Sequence, residues 1–324
     1  DVLKEKFKKL IFSKDTRAVQ EWANKRSPIQ YVDEINKRKA PVFISNNLGD
    51  NLFQPNNVWR FFKKLKGPKV LDLNQGTHAT GELSGLFTVS NYTFKRLHVW
   101  FDYWLRNKKG KSPLQLNMIN IQTDLKHKRE SISEEDSKNA PVLSLVLNER
   151  KLLSGKMIPK KLGRDTIYSG LDTFASTGIP LISAIVDGHF RIPVYSFMPL
   201  IDPLHGLRYT TEKFEKEVRI RGIPKLKLNL DSHEKPFQII AYLYDVNEFG
   251  AGKLITHGAV SGSKIKGEVD LEIVATAYDI PKGHRLALVI DTKDLLYAAK
   301  SLKPFKLDLN FDGTSRNYLN IPLK

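Results

Sequence analysis

Asp50 and His78 are the two residues of this chain whose types and spacing best lend themselves to chemistry. Each stands just after a short apolar run: Val42-Phe43-Ile44-Ser45 leads through Asn46-Asn47-Leu48-Gly49 to Asp50, and Lys69-Val70-Leu71-Asp72-Leu73 leads through Gln75-Gly76-Thr77 to His78. Short apolar runs bounded by turn residues are the pattern of parallel strands buried on both faces. Between them Val58, Phe61, Phe62 and Leu65 recur at helical spacing and stop at Gly67-Pro68. A strand-helix-strand unit crosses over right-handedly and brings both strand carboxyl ends to one edge of the sheet, with neighbouring strands ~4.8 Å apart. Asp50 and His78 are thereby expected to meet over that edge, where open α/β sheets hold their ligands. A carboxylate beside an imidazole is two thirds of a nucleophilic triad: the acid fixes the tautomer and stabilises the imidazolium, and the imidazole takes a proton from a hydroxyl. The order acid then histidine fits the α/β-hydrolase order Ser, Asp, His. Taken singly, an aspartate beside a glycine is commonly a turn former and a lone histidine a surface or core residue, so the chemistry depends on the two meeting.

The elements around this unit set the rest of the architecture. Residues 1 to 39 read as helical, from Leu3, Phe7, Leu10 and Ile11 and then Val19, Trp22 and Ala23, with Pro28 between two pieces. Phe94, Leu97, Phe101, Trp104 and Leu105 outline a further amphipathic helix, closed by Asn107 and Gly110. Beyond Lys111 the period becomes two: Leu226, Leu228 and Leu230; Val269, Leu271, Ile273 and Ala275; Leu286, Leu288 and Ile290; Phe305, Leu307, Leu309 and Phe311. Alternation separated by turns such as Pro281-Lys282-Gly283 and Asp312-Gly313 predicts an antiparallel two-sheet sandwich with one face buried and one wet. The polar run from Lys126 to Asn139 reads as an exposed loop. The expected division is therefore 1–40 helical, 41–111 α/β, and 112–324 β-sandwich.

Composition narrows the function classes. The 324 residues are 41% hydrophobic with 20 Gly and 16 Pro, ordinary for a globular chain of about two domains, and no apolar run approaches the ~18 residues of a bilayer span. With Cys 0, disulfides, thiolate metal sites and a cysteine nucleophile are excluded. The net charge of +17 is concentrated early: residues 1–110 carry 21 Lys+Arg against 10 Asp+Glu, and residues 111–324 carry 31 against 25. Such a balance permits binding to nucleic acid, but acids interleave with the lysines and no recognition motif is present, so a solvated face is expected, with neither nucleic acid nor membrane as partner. None of the eight histidines forms a close ligand pair, so neither a metal nor another cofactor is expected. His189, His205, His233, His257 and His284 are scattered through the β half and read as structural or exposed. Asp245 with Asn247 and Glu248 has either a turn-forming or a calcium-binding reading, the former favoured. Trp59, Trp100 and Trp104 fall at helical core positions, and Trp22 is read as core or, alternatively, as the lining of an acyl pocket.

Pro41 through Ile44, Gly49-Asp50-Asn51, Gly76-Thr77-His78 and Arg96-Leu97-His98-Val99-Trp100-Phe101-Asp102-Tyr103-Trp104-Leu105 resemble the CocE/NonD and X-Pro dipeptidyl-peptidase group of serine hydrolases. Arg26-Ser27-Pro28-Ile29-Gln30-Tyr31 resembles the end of that group's helical cap. Ala241 through Val246 and Lys282-Gly283-His284-Arg285-Leu286 resemble its jelly roll. The resemblance implies the C-terminal part of an α/β-hydrolase fold with a cap remnant over 1–40, followed by a jelly-roll β-sandwich, and a triad in which Asp50 orients His78. The implied substrate is a small-molecule ester or amide, or alternatively an X-Pro peptide, since Gln75-Gly76-Thr77-His78 looks closer to the peptidase branch. Gly-x-Ser-x-Gly is absent: Gly81-Glu82-Leu83-Ser84-Gly85 and Gly258-Ala259-Val260-Ser261-Gly262 place serine one position late and lack a preceding strand. The nucleophile is therefore expected upstream of Asp1. A cytoplasmic location is expected, with secretion open because the chain does not begin at Met, and a homo-oligomer is left open. Two other classes compete: a non-catalytic sandwich that binds carbohydrate or a partner, and a nucleic-acid binder using the basic first third.

Overall fold

Apolar residues at helical spacing, broken at Pro28, fold the first segment into α1 (Val2–Ile11), α2 (Thr16–Asn24), a 3-10 turn (Pro28–Tyr31) and α3 (Val32–Arg38). The structure is a computed structural model and describes residues 2–11, 16–87, 90–106, 114–124, 128–150, 155–158, 162–171, 173–179, 183, 192–233, 236–263, 265–297, 304–313 and 316–324. His189, Asn107 and Gly110 lie outside the described residues. Asn36 of α3 donates through Nδ2 to the Lys64 carbonyl (2.9 Å) and accepts the Lys66 N–H (2.7 Å), tying the helical segment to the following unit.

That unit is a four-stranded sheet in the order β1 (Val42–Asn47), β2 (Lys69–Asn74), β3 (Met118–Gln122), β4 (Arg129–Ser133). β1 and β2 run parallel, from Val42 opposite Lys69 to Asn47 opposite Asn74, and β2 and β3 are also parallel. Helices α4 (Pro55–Lys64), α5 (Thr80–Leu86) and α6 (Tyr92–Trp104) connect or follow the strands. β2 is buried along its whole length because its side chains alternate between two helical layers. Leu71 and Leu73 pack with Trp59 and Phe62 of α4, while Val70 packs with Trp100 of α6. Between them Asp72, fully buried, accepts from Arg96 Nε (2.7 Å) and Asn120 Nδ2 (2.8 Å), so its carboxylate staples α6 and β3 to the strand.

The boundary expected at residue 112 falls too early. β3 and β4 continue the first sheet, and the run read as a loop from Lys126 to Asn139 holds β4 and α7 (Glu134–Lys138). The physical reason is that an antiparallel edge strand needs only one covered face. Arg129-Glu130-Ser131-Ile132-Ser133 offers a single apolar residue, and its polar groups take partners from other elements: Ser131 Oγ donates to Asn120 Oδ1 (2.6 Å), and Glu130 takes arginines from the sandwich.

The β-rich part begins at β5 (Val142–Val146), followed by β6 (Gly155–Lys156), β7 (Leu162–Tyr168), β8 (Tyr195–Phe197), β9 (Leu207–Thr210), β10 (Val218–Gly222) and β11 (Lys225–Ser232). It continues through β12 (Phe237–Val246), β13 (Ala251–Gly262), β14 (Lys266–Glu272), β15 (Thr276–Ile280), β16 (Arg285–Asp291), β17 (Lys306–Asp312) and β18 (Tyr318–Pro322). One six-stranded sheet is ordered β5-β18-β11-β17-β7 with β14 beside β11, the other β6-β9-β16-β12-β13-β8, and β10 pairs with β15. Alternate residues of both sheets share one core: Leu226, Leu228 and Leu230 from the first, Ile239, Leu243 and Leu288 from the second. In the first sheet β11 alternates as the period-two pattern requires. β12 does not, because its other face is covered by Ala175, Met198 and Ile201 packed on Ile240, Tyr242 and Tyr244.

The α/β sheet and the sandwich are joined by packing and by polar staples. Ala275 and Ala277 belong to the same cluster as Trp59, Leu71 and Ile119. Buried Asn56 donates to the Ile273 carbonyl (3.1 Å) and accepts the Ala275 N–H (2.6 Å), pairing with the backbone as a strand would. Glu130 of β4 receives Arg221 Nε (3.1 Å), Lys324 Nζ (2.8 Å) and Arg219, and Arg221 also donates to Asp279 (2.6 Å).

Candidate active site

The carboxyl ends of β1 and β2 continue in step past their last strand residues. The Leu48 N–H donates to the Asn74 carbonyl (2.8 Å), and the Gly49 N–H to the Gly76 carbonyl (2.8 Å). This close approach explains the two glycines: a Cβ on Gly49 would stand 2.7 Å from the Gly76 oxygen, and Gly76 has φ of +123°, a conformation that side chains disfavour. The two loops are thereby held at hydrogen-bonding distance, and the next residues on each are Asp50 and, after Thr77, His78.

His78 Nδ1 lies 2.9 Å from Asp50 Oδ2. The carboxylate is 2% exposed, whereas the imidazole is nearly half exposed. Asp50 Oδ1 accepts two backbone N–H groups, from Leu52 (2.9 Å) and Phe53 (2.9 Å). These bonds orient the carboxyl so that Oδ2 faces the imidazole. A carboxylate accepts and does not donate, so Nδ1 carries the shared proton and the neutral ring keeps its lone pair on Nε2. The Phe53 ring lies against the imidazole in a tilted pair, with centroids 5.2 Å apart and planes at 38°.

Behind the pair is a polar layer that the sequence reading did not single out. Glu82 of α5 accepts from Ser45 Oγ (2.5 Å) and Asn47 Nδ2 (3.0 Å), and Asn74 Nδ2 reaches the same carboxylate at 3.3 Å. Asn46 Nδ2 donates to the Phe53 carbonyl (3.1 Å) and lies 3.5 Å from Asp50 Oδ2. The available signal was the pair Asn46-Asn47 closing an otherwise apolar strand. Arg129 stacks on Tyr92, 3.4 Å from its ring centroid, and donates to Asn74 Oδ1 (2.7 Å); burial holds the Tyr92 hydroxyl above its usual pKa.

A cleft opens beside the two loops, lined by Gly49 and Gly76 on one side and by Lys253, His257, Val274 and Thr276 of the sandwich on the other. Burial pushes His257 down to about 4, so it is neutral at pH 7, with Nδ1 2.7 Å from the Tyr297 hydroxyl. Among the described residues the other sandwich histidines are engaged: His205 with Asp202, His233 with Asp308, and His284 with Asp245. Asp245 is spent on His284 (2.7 Å) and Tyr278 (2.8 Å), while Asn247 Oδ1 accepts the Phe249 and Ala251 N–H groups of the turn. Among the described residues no group of three or more His, Asp or Glu is arranged to hold a metal. The serines of the two near-match strings do not stand at a strand-to-helix turn: Gly81–Gly85 lies inside α5, and Gly258–Gly262 inside β13.

Residues 122–320 match the X-Pro dipeptidyl-peptidase C-terminal non-catalytic domain, and residues 3–80 match the X-Pro dipeptidyl-peptidase S15 family. The chain belongs to the X-Pro dipeptidyl-peptidase family. Its relatives include proteins named as Xaa-Pro dipeptidyl-peptidases from Bacillus anthracis, 22% identical over 296 residues covering 86% of this chain and 45% of the relative, and from Bacillus cereus, 22% identical over 299 residues covering 86% and 46%. The chain thus spans less than half the length of these curated relatives. Among solved structures it resembles an aminopeptidase from a marine-sediment Thaumarchaeota archaeon (TM-score 0.67, 12% identity, 88% of this chain and 55% of that one). It also resembles a CocE/NonD family hydrolase from Staphylococcus aureus (TM-score 0.63, 11% identity, 90% and 55%) and an α-amino acid ester hydrolase (TM-score 0.65, 12% identity, 90% and 57%). At these identities the likeness is one of fold. It covers both the α/β sheet and the β-rich part. No described helix is long and apolar enough to cross a membrane.

Proposed function

We propose that Asp50 and His78 are the acid and base of a Ser-His-Asp triad in a serine hydrolase that cleaves an ester or amide acyl bond, the serine being contributed by sequence outside these 324 residues. The single observation that carries this reading is the 2.9 Å bond between His78 Nδ1 and an Asp50 carboxylate whose other oxygen is held by two backbone N–H groups. In the reaction Nε2 of His78 removes the serine proton as the hydroxyl attacks the acyl carbon, and Asp50 stabilises the imidazolium. The imidazolium then gives its proton to the departing alcohol or amine, and the cycle repeats with water to release the acid. The S15 match over residues 3–80, which contains both residues, supports placing the chemistry there. The family name and the Xaa-Pro relatives favour an X-Pro peptide among the acyl substrates. We read the two six-stranded sheets as the jelly roll of the family, a neighbouring wall rather than a source of reacting groups.

The test is reaction with a fluorophosphonate and with X-Pro and ester substrates in the longer protein that contains a nucleophile segment. His78→Ala is expected to abolish labelling and lower turnover by about 10⁴ while leaving the fold intact. Full turnover in that variant would remove the triad, whereas a longer protein that neither labels nor turns over these substrates before any substitution would leave the reading of a non-catalytic binding module.

A further inference from the structure

Phe53 is 63% exposed, yet its backbone is gripped on both sides by buried side chains. Its N–H donates to Asp50 Oδ1 at 2.9 Å, and its carbonyl accepts from Asn46 Nδ2 at 3.1 Å. The same bonds that orient the Asp50 carboxyl thereby fix where this exposed ring stands, without help from burial. The ring is not free: it forms a tilted pair with the His78 imidazole at a centroid distance of 5.2 Å, within the range of aromatic pairs. Asn46 has no choice of orientation, because both groups facing its Nδ2 are acceptors; its Oδ1 is buried with no partner, a cost tolerated in order to keep the donor pointed at the turn.

The geometry points to Phe53 as a positioning residue for His78: with Asn46 and Asp50 it forms a clasp that limits the rotation of the imidazole and faces the charge that ring acquires. When the ring is protonated, the electron-rich face of Phe53 attracts the cation, an interaction present in the imidazolium and weak in the neutral imidazole. A contribution of that kind appears in the rate of the chemical step and not in substrate affinity. This assignment rests on the triad reading for its catalytic consequence, but not for its geometry.

The experiment therefore has two arms. In the 324-residue chain, proton and nitrogen NMR of the His78 ring is recorded for the wild type, Phe53→Leu, Phe53→Tyr and Asn46→Asp. The wild-type ring protons should carry an aromatic ring-current displacement that Phe53→Leu removes and Phe53→Tyr restores. Asn46→Asp keeps the shape but replaces the donor by a carboxylate facing two acceptors, and should weaken the same displacement. In the longer enzyme Phe53→Leu should lower kcat by about 2- to 5-fold with KM unchanged, again restored by tyrosine. Unchanged ring-proton shifts in Phe53→Leu would overturn the clasp. If the shifts move as expected while His78→Ala keeps full turnover, the clasp stands and the triad falls; if His78→Ala is inactive while Phe53→Leu matches the wild type in both arms, the triad stands and the clasp falls.

Discussion

Asp50→Asn is the sharpest single perturbation, because the structure dictates which way the new amide must face. One oxygen of Asp50 receives the N–H groups of Leu52 and Phe53, each at 2.9 Å, and the other faces His78 Nδ1. If the asparagine keeps its oxygen on the two N–H groups, its NH2 points at Nδ1 and can be accommodated only if the ring moves its proton to Nε2. The opposite flip would set the NH2 against two backbone donors, at about 1–3 kcal/mol for each buried group left unsatisfied. Asn46 Nδ2, at 3.5 Å from the other oxygen, opposes the first orientation by one longer contact, so the first orientation prevails. The imidazole is then held with its proton on the nitrogen that should accept the serine proton. The expected loss is about 10⁴ in kcat, or ~5 kcal/mol of transition-state stabilisation, with little change in stability since the turn keeps its bonds. The assay pairs turnover of the longer enzyme with nitrogen NMR of His78 in the present chain, which reports the tautomer directly. A variant in which Nδ1 keeps the proton, or one with the tautomer reversed and the rate intact, would refute the reasoning.

Two further outcomes follow from the packing around the site. Gly49→Ala should separate the loops, since its Cβ would meet the Gly76 carbonyl oxygen at 2.7 Å; a loss of about 1–3 kcal/mol in denaturant unfolding is expected, with loss of the His78 Nδ1 proton signal. Glu130 joins the first sheet to the sandwich and is half-buried, which alone would raise its pKa, but hydrogen bonds and charge from Arg221 and Lys324 outweigh this and hold it at about 2 against 4.5. Its folded pKa is depressed, so its contribution is present above pH 4.5 and is lost as the pH falls toward 2. Discounted for solvent screening it is worth ~1–2 kcal/mol. Urea unfolding of Glu130→Gln should therefore differ from the wild type at pH 7 and converge with it near pH 2; a constant gap across that range would contradict the assignment.

Much of the α/β unit was legible because its signals are local. Val42–Ser45 and Lys69–Leu73 are apolar runs with turn residues at their ends, and a right-handed crossover leaves one arrangement for two such strands, so Asp50 and His78 had to emerge on the same edge. The period-two segments marked β11 and β14, where one face is wet and alternation is a property of the chain itself; β16 and β17 were marked by the same spacing of their larger apolar residues, although β16 is buried on both faces. β4 escaped notice because its polar residues are paid for by distant partners, Glu130 by Arg221 and Lys324, Ser131 by Asn120. No window of sequence contains those partners. β12 lacked alternation because residues far along the chain, Ala175 and Met198, cover its second face.

At the site the division is the same. Residue type and order, an acid and a histidine each following a buried parallel strand, belong to the sequence, since chain connectivity and handedness act over a few tens of residues. The orientation of the carboxylate, the tautomer it imposes and the aromatic ring against the imidazole come from tertiary structure alone. They depend on directed hydrogen bonds among side chains and backbone groups brought together at the ends of two strands, and directions of that kind exist only once both loops are in place.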